Sequence, residues 1–187
     1  MNWIICPFLD NWDLTAAAAE DCLRQSIPTR LLLIDNGSSP EVRAACHQFV
    51  IDQQQELESS RVMSWHHNPP MPSLSATWNR ALKFVWEAGG EQALVVNNDL
   101  RIVPQTYEWL LEVQRRRDSY FVSGTGVTEE QFTTWDRTFD LDGDPAGPDF
   151  SCFLITREGH TKYPFDQRFI PAYFEDNQLV RQMWLAG

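Results

Sequence analysis

Three patterns are absent from this sequence of 187 residues, and each absence excludes a class of protein. None of the four cysteines forms a C-x-x-C pair, which excludes the spacing of a zinc ribbon. No stretch approaches the roughly 20 apolar residues of a membrane-spanning helix. Gly124-Thr125-Gly126 lacks the G-x-x-x-x-G-K-[ST] context of a P-loop. We therefore expect neither a zinc ribbon, nor a membrane span, nor a P-loop enzyme.

Basic residues are also scarce, because 15 Lys and Arg stand against 26 Asp and Glu and give a net charge of −11. An acidic chain repels nucleic-acid backbones and anionic membranes, so neither is an expected partner. The first residues, Met1 to Pro7, lack the basic segment and the long apolar run of a signal peptide. The chain is therefore predicted to be cytoplasmic, with dispersed cysteines that stay reduced in the core.

Apolar runs alternate with helical patterns over the first two thirds of the chain. The predicted strands are Trp3–Cys6, ended by Pro7, then Leu31–Ile34, Arg61–Trp65 and Ala93–Val96. The predicted helices run from about Asp13 to Gln25, Glu41 to Glu58, Ser75 to Glu87 and Pro104 to Arg117. Strands without polar alternation are typical of a mostly parallel sheet that helices cover on both faces. The sequence therefore predicts an α/β fold.

The pattern changes in the last third of the chain. Tyr120–Ser123 and Cys152–Thr156 predict two more strands, with further short strands around Phe132–Phe139. A last helix is predicted from about Tyr173 to Trp184. Since no internal repeat or linker is visible, we expect one domain with a small antiparallel C-terminal portion.

The predicted central strand runs directly into Asn97-Asn98-Asp99. Ligands of open α/β sheets bind just beyond the carboxyl ends of strands, which would place Asp99 at the rim of a crevice. Mg²⁺ is usually held by one or two carboxylates together with substrate phosphates. The motif therefore predicts a metal–diphosphate site, although on this motif alone Asp99 could equally cap a turn or the next helix.

Other polar clusters follow predicted strands or begin predicted helices. Asp35 ends the second strand, and Glu175-Asp176 begins the last helix, where carboxylates also interact favourably with the helix dipole. His66-His67 follows the third strand, and a surface pair is a simpler interpretation than a metal or donor contact. The acidic run at 140–144 follows no buried strand and lacks the Gly and Glu of a calcium loop, so we interpret it as a flexible acidic loop.

An ordered set of short motifs covers nearly the whole chain. The motifs are Ile5-Cys6-Pro7 with Asn11, Gln25, Leu33 to Ser39, Asn79-Arg80-Ala81, Val96 to Asp99, Phe165 to Phe169, and Tyr173 to Asp176 with Arg181. In this order and at about this spacing they resemble the family 2 glycosyltransferases of the GT-A fold. The resemblance implies one GT-A domain over residues 1–187. Residues 1–99 would form its nucleotide-sugar-binding half and residues 100–187 its acceptor side.

The resemblance also implies roles for individual residues. It assigns binding of the nucleotide-sugar donor to Pro7, Phe8, Asp35, Asn79, Arg80, Asn97 and Asn98. Asp99 stands at the last position of the family's DxD motif and would bind Mn²⁺ or Mg²⁺. Asp176, with Glu175 as second choice, matches the acidic base that takes the proton of the acceptor hydroxyl.

The implied activity is metal-dependent transfer of a hexose from UDP-glucose or UDP-galactose to a glycan or another hydroxyl acceptor, with inversion. Two departures from the family pattern affect this expectation. Asn97 replaces a carboxylate, which predicts weaker metal binding. The chain ends at Gly187 with no histidine after His160, which predicts a small or exposed acceptor site, or an acceptor supplied by a partner.

Two other functions stay open at this point. A sugar nucleotidyltransferase would usually carry a Gly-rich, basic loop after the first strand, and Pro7 to Asn11 has neither feature. A non-catalytic module that binds a nucleotide sugar or a glycan would agree with Asn97 and with the short C-terminus.

Overall fold

The computed structural model describes residues 1–56, 61–126, 128, 130, 150–170 and 175–185. The first eight elements are β1 (Asn2–Phe8), α1 (Trp12–Leu23), β2 (Thr29–Asp35), α2 (Pro40–Glu56), β3 (Val62–His66), α3 (Leu74–Glu87), β4 (Gln92–Val96) and α4 (Thr106–Arg117). They are followed by β5 (Phe121–Ser123), β6 (Cys152–Thr156), α5 (Arg157–Lys162) and α6 (Glu175–Leu185). Within these ranges, none of the helices combines the length and the apolar character needed to cross a bilayer.

The six strands form one sheet in the order β3-β2-β1-β4-β6-β5. The pairs β3–β2, β2–β1 and β1–β4 are parallel, whereas β6 runs antiparallel to both β4 and β5. The predicted α/β fold, mostly parallel with a small antiparallel C-terminal portion, is confirmed.

Both faces of the sheet are covered by helices, which explains why the strands are apolar without alternation. On one face Ile4 and Cys6 of β1 pack with residues of α1, α2 and α4. On the other face Trp3 and Ile5 pack with residues of α3 and α6. All four cysteines are buried free thiols in the first cluster, as predicted, and burial raises the pKa of Cys6 to about 12.

One local prediction is wrong, and one short helix was not predicted. Pro7 does not end β1, which continues to Phe8; Pro7 lies beyond Ile5, the last residue of β1 that pairs with β4, so its missing N–H breaks no bond of that ladder. Helix α5 was not predicted; it begins after Thr156, whose hydroxyl accepts a hydrogen bond from the N–H of Gly159. The strands expected around Phe132–Phe139 lie outside the described residues.

The strand order determines where a ligand can bind. The chain builds β1, β2 and β3 outward on one side and then returns to place β4 on the other side of β1. Such a reversal opens a crevice beyond the carboxyl ends of the two central strands. We call the loops at this end, residues 9–11, 36–39, 67–73 and 97–105, the carboxyl edge.

Candidate functional site

The loops after β1 and β2 are bonded to each other at the carboxyl edge. Asp10 and Asn11 both adopt left-handed backbone conformations, with φ of 54° and 50°. Such a conformation costs roughly 1–2 kcal/mol for a residue other than glycine, and Asn and Asp tolerate it best. The N–H of Asp10 donates to Oγ of Ser38 (2.8 Å), and the N–H of Ser39 donates to Oδ1 of Asp10 (2.9 Å). These two hydrogen bonds hold the strained turn in place.

Asp35, predicted to contact the donor base, is the last residue of β2 and only 2% exposed. Its Oδ1 accepts hydrogen bonds from the backbone N–H groups of Gly37 (3.1 Å) and Ser38 (2.7 Å). Its Oδ2 lies 2.7 Å from Nδ1 of His66, which therefore carries the proton, since an ionised carboxylate only accepts. A carboxylate offers about four lone-pair positions, and these bonds occupy three of them. Nε of Arg43 also lies 3.8 Å from Oδ2.

The charge of Asp35 is maintained by these same bonds. Burial raises the pKa of the carboxyl, but the hydrogen bonds from Ser38 and His66 outweigh burial and bring the pKa below its ordinary value of 3.8. Asp35 is therefore an anion at neutral pH and can accept an N–H from a bound base.

The loop after β3 is bonded to the loop after β2. Oδ1 of Asn36 accepts a hydrogen bond from the N–H of Met71 (2.8 Å). Gly37 has a φ of +100°, and a Cβ placed on it would lie 2.4 Å from Cγ of Pro70. Both the left-handed conformation and the close approach of Pro70 therefore require glycine at this position.

His67 lies at the same edge, and its environment contradicts the interpretation of His66-His67 as a surface pair. Its side chain is buried, at 6% exposure, and its backbone N–H donates to the carbonyl oxygen of Asp35 (2.9 Å). Neither ring nitrogen has a hydrogen-bond partner among the described residues. Burial, and then the nearby charges of Arg80 and His66, lower the pKa of His67. The carboxyl edge therefore contains a neutral imidazole with two unsatisfied nitrogens.

Arg80 and Asn79, both predicted donor contacts, have different surroundings. Arg80 is exposed, with Nη1 3.9 Å from Sδ of Met71. The amide of Asn79 is occupied within the chain, because its Nδ2 donates to the carbonyl oxygen of Phe165 (2.8 Å) and its Oδ1 accepts from the N–H of Phe165 (3.1 Å). A direct contact of Asn79 with a donor would require these bonds to open.

A buried histidine stabilises this arrangement of Asn79. Nε2 of His160 lies 2.8 Å from Oδ1 of Asn79, and Nδ1 of His160 accepts a hydrogen bond from Nε1 of Trp86 (3.0 Å). Because indole is only a donor, the His160 proton is on Nε2 and points to the amide oxygen. Burial lowers the pKa of His160 to about 4, so the ring is neutral at pH 7.

The segment after β4 carries the predicted metal ligand. The backbone N–H of Asn97 donates to the carbonyl oxygen of Ser151 (2.8 Å), and Nδ2 of Asn98 donates to Oγ1 of Thr15 (2.9 Å). Asp99 follows as an exposed carboxylate. Phe8, predicted to contact the base, is 3% exposed and packs against Trp12 at 6.0 Å between ring centroids. Its ring is thus part of the core.

The carboxyl edge offers too few protein ligands to hold a metal ion without a bound diphosphate. Within residues 1–56, 61–126, 150–170 and the other described positions, no three His, Cys, Asp or Glu side chains lie together as a metal site. Asp99 is one exposed carboxylate beside two amides. Mg²⁺ commonly takes one or two protein carboxylates plus substrate phosphates, so the residues suit an ion shared with a diphosphate.

Helix α6 begins at Glu175, so Glu175 and Asp176 form its first turn, as predicted. The side chains of these two residues lie outside the described part of the chain. Their predicted role as the catalytic base stays a prediction.

Solved protein structures share the fold of this chain, although no match is found from its sequence. No protein-family model matches the sequence, and no curated protein matches it. Among solved structures, the mannosyltransferase PcManGT from Pyrobaculum calidifontis, in complex with GDP-Man and Mn²⁺, superposes on 100% of this chain with a TM-score of 0.75 and 14% identity. This chain shares the fold of a glycosyltransferase.

A second solved protein has the same fold. TarS from S. aureus (residues 1–349, in complex with UDP) superposes on 98% of the chain with a TM-score of 0.67 and 15% identity. The chain spans about half the length of these two proteins, 52% and 55%. At such identities the likeness concerns the fold alone, so activity and ligands have to be argued from the site.

Sequence reasoning did not find every polar residue of this edge. His67 was identified only as half of a histidine pair, and the hydrogen bond from Asn98 to the buried Thr15 was not predicted. The one feature of the sequence that could have indicated a role for Thr15 is its hydroxyl group, which lies in the first turn of an otherwise apolar helix face. Which residue it binds depends on how α1 packs against the segment after β4.

Proposed function

We propose that this protein is a glycosyltransferase that moves a sugar from a nucleotide-sugar donor to an acceptor hydroxyl. The observation that carries the proposal is the position of Asp99. It lies three residues after the end of β4, at the point where the strand order reverses, in a fold shared with a mannosyltransferase solved with GDP-Man and Mn²⁺. Membership of family 2 and a cytoplasmic location belong to the same proposal.

The donor that we propose is UDP-glucose or UDP-galactose. Asp35 would accept the N–H of uracil, and Pro7, in the neighbouring strand β1, would lie beside the ribose. His67 adds a neutral donor and acceptor that lack partners among the described residues, which suits the carbonyl and N–H groups of a base. Because a protein of the same fold was solved with GDP-Man, a guanine nucleotide is the alternative that a test of the donor has to include.

The diphosphate would lie between Arg80 and Asp99. The Arg80 guanidinium suits phosphate geometry, because its planar fork donates two parallel hydrogen bonds. Asp99, with the amides of Asn97 and Asn98 beside it, would hold Mn²⁺ or Mg²⁺ together with phosphate oxygens. The ion would act as a Lewis acid that neutralises the charge of the departing nucleoside diphosphate.

The acceptor would be activated from α6. Asp176, or Glu175 as second choice, would take the proton of the acceptor hydroxyl, a contribution of about 10²–10⁴-fold. In-line attack by that oxygen on the anomeric carbon would invert its configuration. In this proposal residues 1–99 bind the donor and residues 100–187 form the acceptor side of one domain.

The test is release of nucleoside diphosphate from a panel of nucleotide sugars with Mn²⁺, with Mg²⁺ and with chelator. We expect metal-dependent release from one donor, including slow hydrolysis without acceptor. Asp99→Asn should abolish release, whereas Asp118→Asn, at an exposed residue after α4, should leave it unchanged. Full release by Asp99→Asn would overturn the metal assignment.

The proposed base is tested by separating binding from transfer. Asp176→Asn should bind the donor with unchanged affinity and should fail to transfer the sugar to an acceptor. Transfer at the wild-type rate would remove Asp176 from this role and direct the same experiment to Glu175.

One observation favours a second function, a non-catalytic module that binds a nucleotide sugar. The segment that follows β4 offers one exposed carboxylate, Asp99, no group of three metal-ligating side chains is found among the described residues, and the first DxD position is Asn97. Calorimetric binding of UDP-sugars without release of UDP under any metal condition would establish this function in place of transfer.

A further inference from the structure

Three buried polar residues bind the segment between β4 and α4, residues 97–105, through hydrogen bonds. Two of them lie in α1 and the third lies just after the helix. These residues are Thr15, Asp21 and Gln25, at exposures of 0%, 7% and 8%. Buried polar side chains are costly unless they are hydrogen-bonded, so their partners explain why they are there. All three have partners within residues 97–107.

The strongest of these contacts joins Asp21 to Arg101. Oδ2 of Asp21 lies 2.6 Å from Nε of Arg101, and Oδ1 lies 2.9 Å from Nη2. Oδ2 also accepts a hydrogen bond from the backbone N–H of Ile102 (3.3 Å). A bidentate pair between a guanidinium and a carboxylate determines orientation as well as distance. Arg101 is two residues after Asp99, so this pair restricts the backbone that carries the Asp99 carboxylate.

Two further contacts restrict the same segment on either side of Asp99. Asn98, immediately before it, donates from Nδ2 to Oγ1 of Thr15 (2.9 Å). Gln25 donates to the carbonyl oxygen of Val103 (3.0 Å) and accepts the backbone N–H of Tyr107 (2.9 Å). Asp99 itself is exposed, so its carboxylate is free to face a ligand while its backbone neighbours are held.

We propose that Asp21 is a positioning residue for the diphosphate site: through Arg101 it holds residues 97–103 in the conformation that presents Asp99 to a metal ion shared with the donor phosphates. This inference rests on the proposed function. It also gives Arg101 a defined role, because a guanidinium paired with Asp21 does not pair with Asp99 two residues away and so leaves that carboxylate to the cation.

The chain offers a matched control for this pair. Arg24, the residue after α1, lies with Nη1 3.6 Å from Oδ1 of Asp21, and its Nη2 contacts Glu20. Arg24→Gln therefore removes a cation beside the same carboxylate without touching residues 97–105. Asp21→Asn and Arg101→Gln, in contrast, both remove the bidentate pair.

The first measurement is hydrogen exchange of the unliganded protein, followed by mass spectrometry of peptides that cover residues 97–103. In Asp21→Asn and Arg101→Gln we expect exchange of these amides to accelerate about tenfold, as for the loss of a charge-assisted hydrogen bond. Peptides from β2 should be unchanged, and Arg24→Gln should behave as wild type. Equal exchange in all four proteins would overturn the proposal.

The second measurement is the Kd for Mn²⁺ in the presence of UDP. We expect it to rise about tenfold in both variants, and to rise little further in the double variant, since both substitutions remove one interaction. Faster exchange with an unchanged Kd would also overturn the proposal. If wild type itself binds no Mn²⁺ with UDP, the proposed function fails and the role of Asp21 toward the metal fails with it. If wild type binds and the variants match Arg24→Gln, this inference fails and the proposed function stands.

Discussion

Asn79 pairs with the backbone of Phe165, 86 positions later in the chain, much as one β-strand pairs with another. The amide donates to the carbonyl oxygen at 2.8 Å and accepts from the N–H at 3.1 Å. The Phe165 ring is 2% exposed and lies 4.9 Å from the ring centroid of Trp78. Asn79 thus anchors the segment that leads toward α6, where the proposed catalytic base lies.

Asn79→Asp should lower the free energy of unfolding by about 1–3 kcal/mol, because a carboxylate cannot donate to the Phe165 carbonyl and leaves a buried group unpaired. Urea denaturation at pH 7 measures the loss. The matched control is Asn2→Asp, which removes an exposed hydrogen bond to the carbonyl oxygen of Pro28 and should cost much less. Equal losses in the two variants would contradict the anchoring role of Asn79.

His160 should make stability depend on pH. Burial lowers its pKa from 6.5 to about 4 in the folded protein, so the unfolded chain binds an extra proton between these values. The contribution of His160 to the free energy of unfolding is therefore complete above pH 6.5. It decreases as the pH falls toward 4, by up to about 3 kcal/mol. Protonation would also place an N–H of His160 against the N–H of Trp86.

The measurement is urea denaturation at several pH values between 4.5 and 7, for wild type and for His160→Gln, whose amide does not titrate. The free energy of unfolding should fall more steeply with decreasing pH in wild type than in the variant. Parallel curves would show that His160 does not contribute to the acid sensitivity.

Gly37→Ala should destabilise the protein more than Gly89→Ala. Both glycines have positive φ, +100° and +81°, so both substitutions carry a similar conformational cost of roughly 1–2 kcal/mol. The added methyl group of Gly37→Ala would in addition lie 2.4 Å from Pro70, whereas at Gly89 no atom of the described residues, apart from its own chain neighbours, lies within 4 Å of the Cβ position. The difference between the two denaturation midpoints therefore isolates the steric clash.

The same pair of variants tests the carboxyl edge. Because Gly37 donates to Asp35, a displaced turn in Gly37→Ala should weaken UDP binding, while Gly89→Ala should bind as wild type. If Gly37→Ala bound UDP with the affinity of the wild type, the nucleotide would have to bind away from this turn.

His67→Phe should weaken UDP binding about tenfold or more without loss of stability. The ring nitrogens have no partners within the described residues, so phenylalanine removes two unsatisfied polar atoms and keeps a planar aromatic ring, although a somewhat larger one. Calorimetric titration with UDP and thermal unfolding of the same samples give the two quantities. A destabilised variant with normal UDP binding would assign His67 a structural role instead.

The fold could be predicted from the sequence because its main elements are signalled locally. Apolar runs such as Leu31–Ile34 and the helical pattern of α3 give the type and order of the elements. The errors occurred where tertiary context decides, as at Pro7, which continues β1 because β4 ends its pairing earlier. Helix α5 has six residues, too few to show a helical period.

The site could be predicted only in part, for a similar reason. Asp35 and Asp99 follow strands, so their place at one edge of the sheet can be inferred from the pattern. The hydrogen-bond partners of the other polar residues cannot be inferred in this way. Asn79 bonds to Phe165 and Arg101 bonds to Asp21 only because elements far apart in sequence pack together. Burial of His67 likewise has no signal in the local sequence.

The central place of β1 has a consequence for synthesis on the ribosome. β1 pairs with β2 soon after emerging, but its other edge stays open until β4 is made, since Trp3 pairs with Ala93. Closing so long a stretch of chain slows folding. The nascent protein therefore carries an unpaired, apolar strand edge while the roughly 90 residues from Trp3 to Ala93 are translated. That interval is its period of greatest exposure to aggregation and to chaperones.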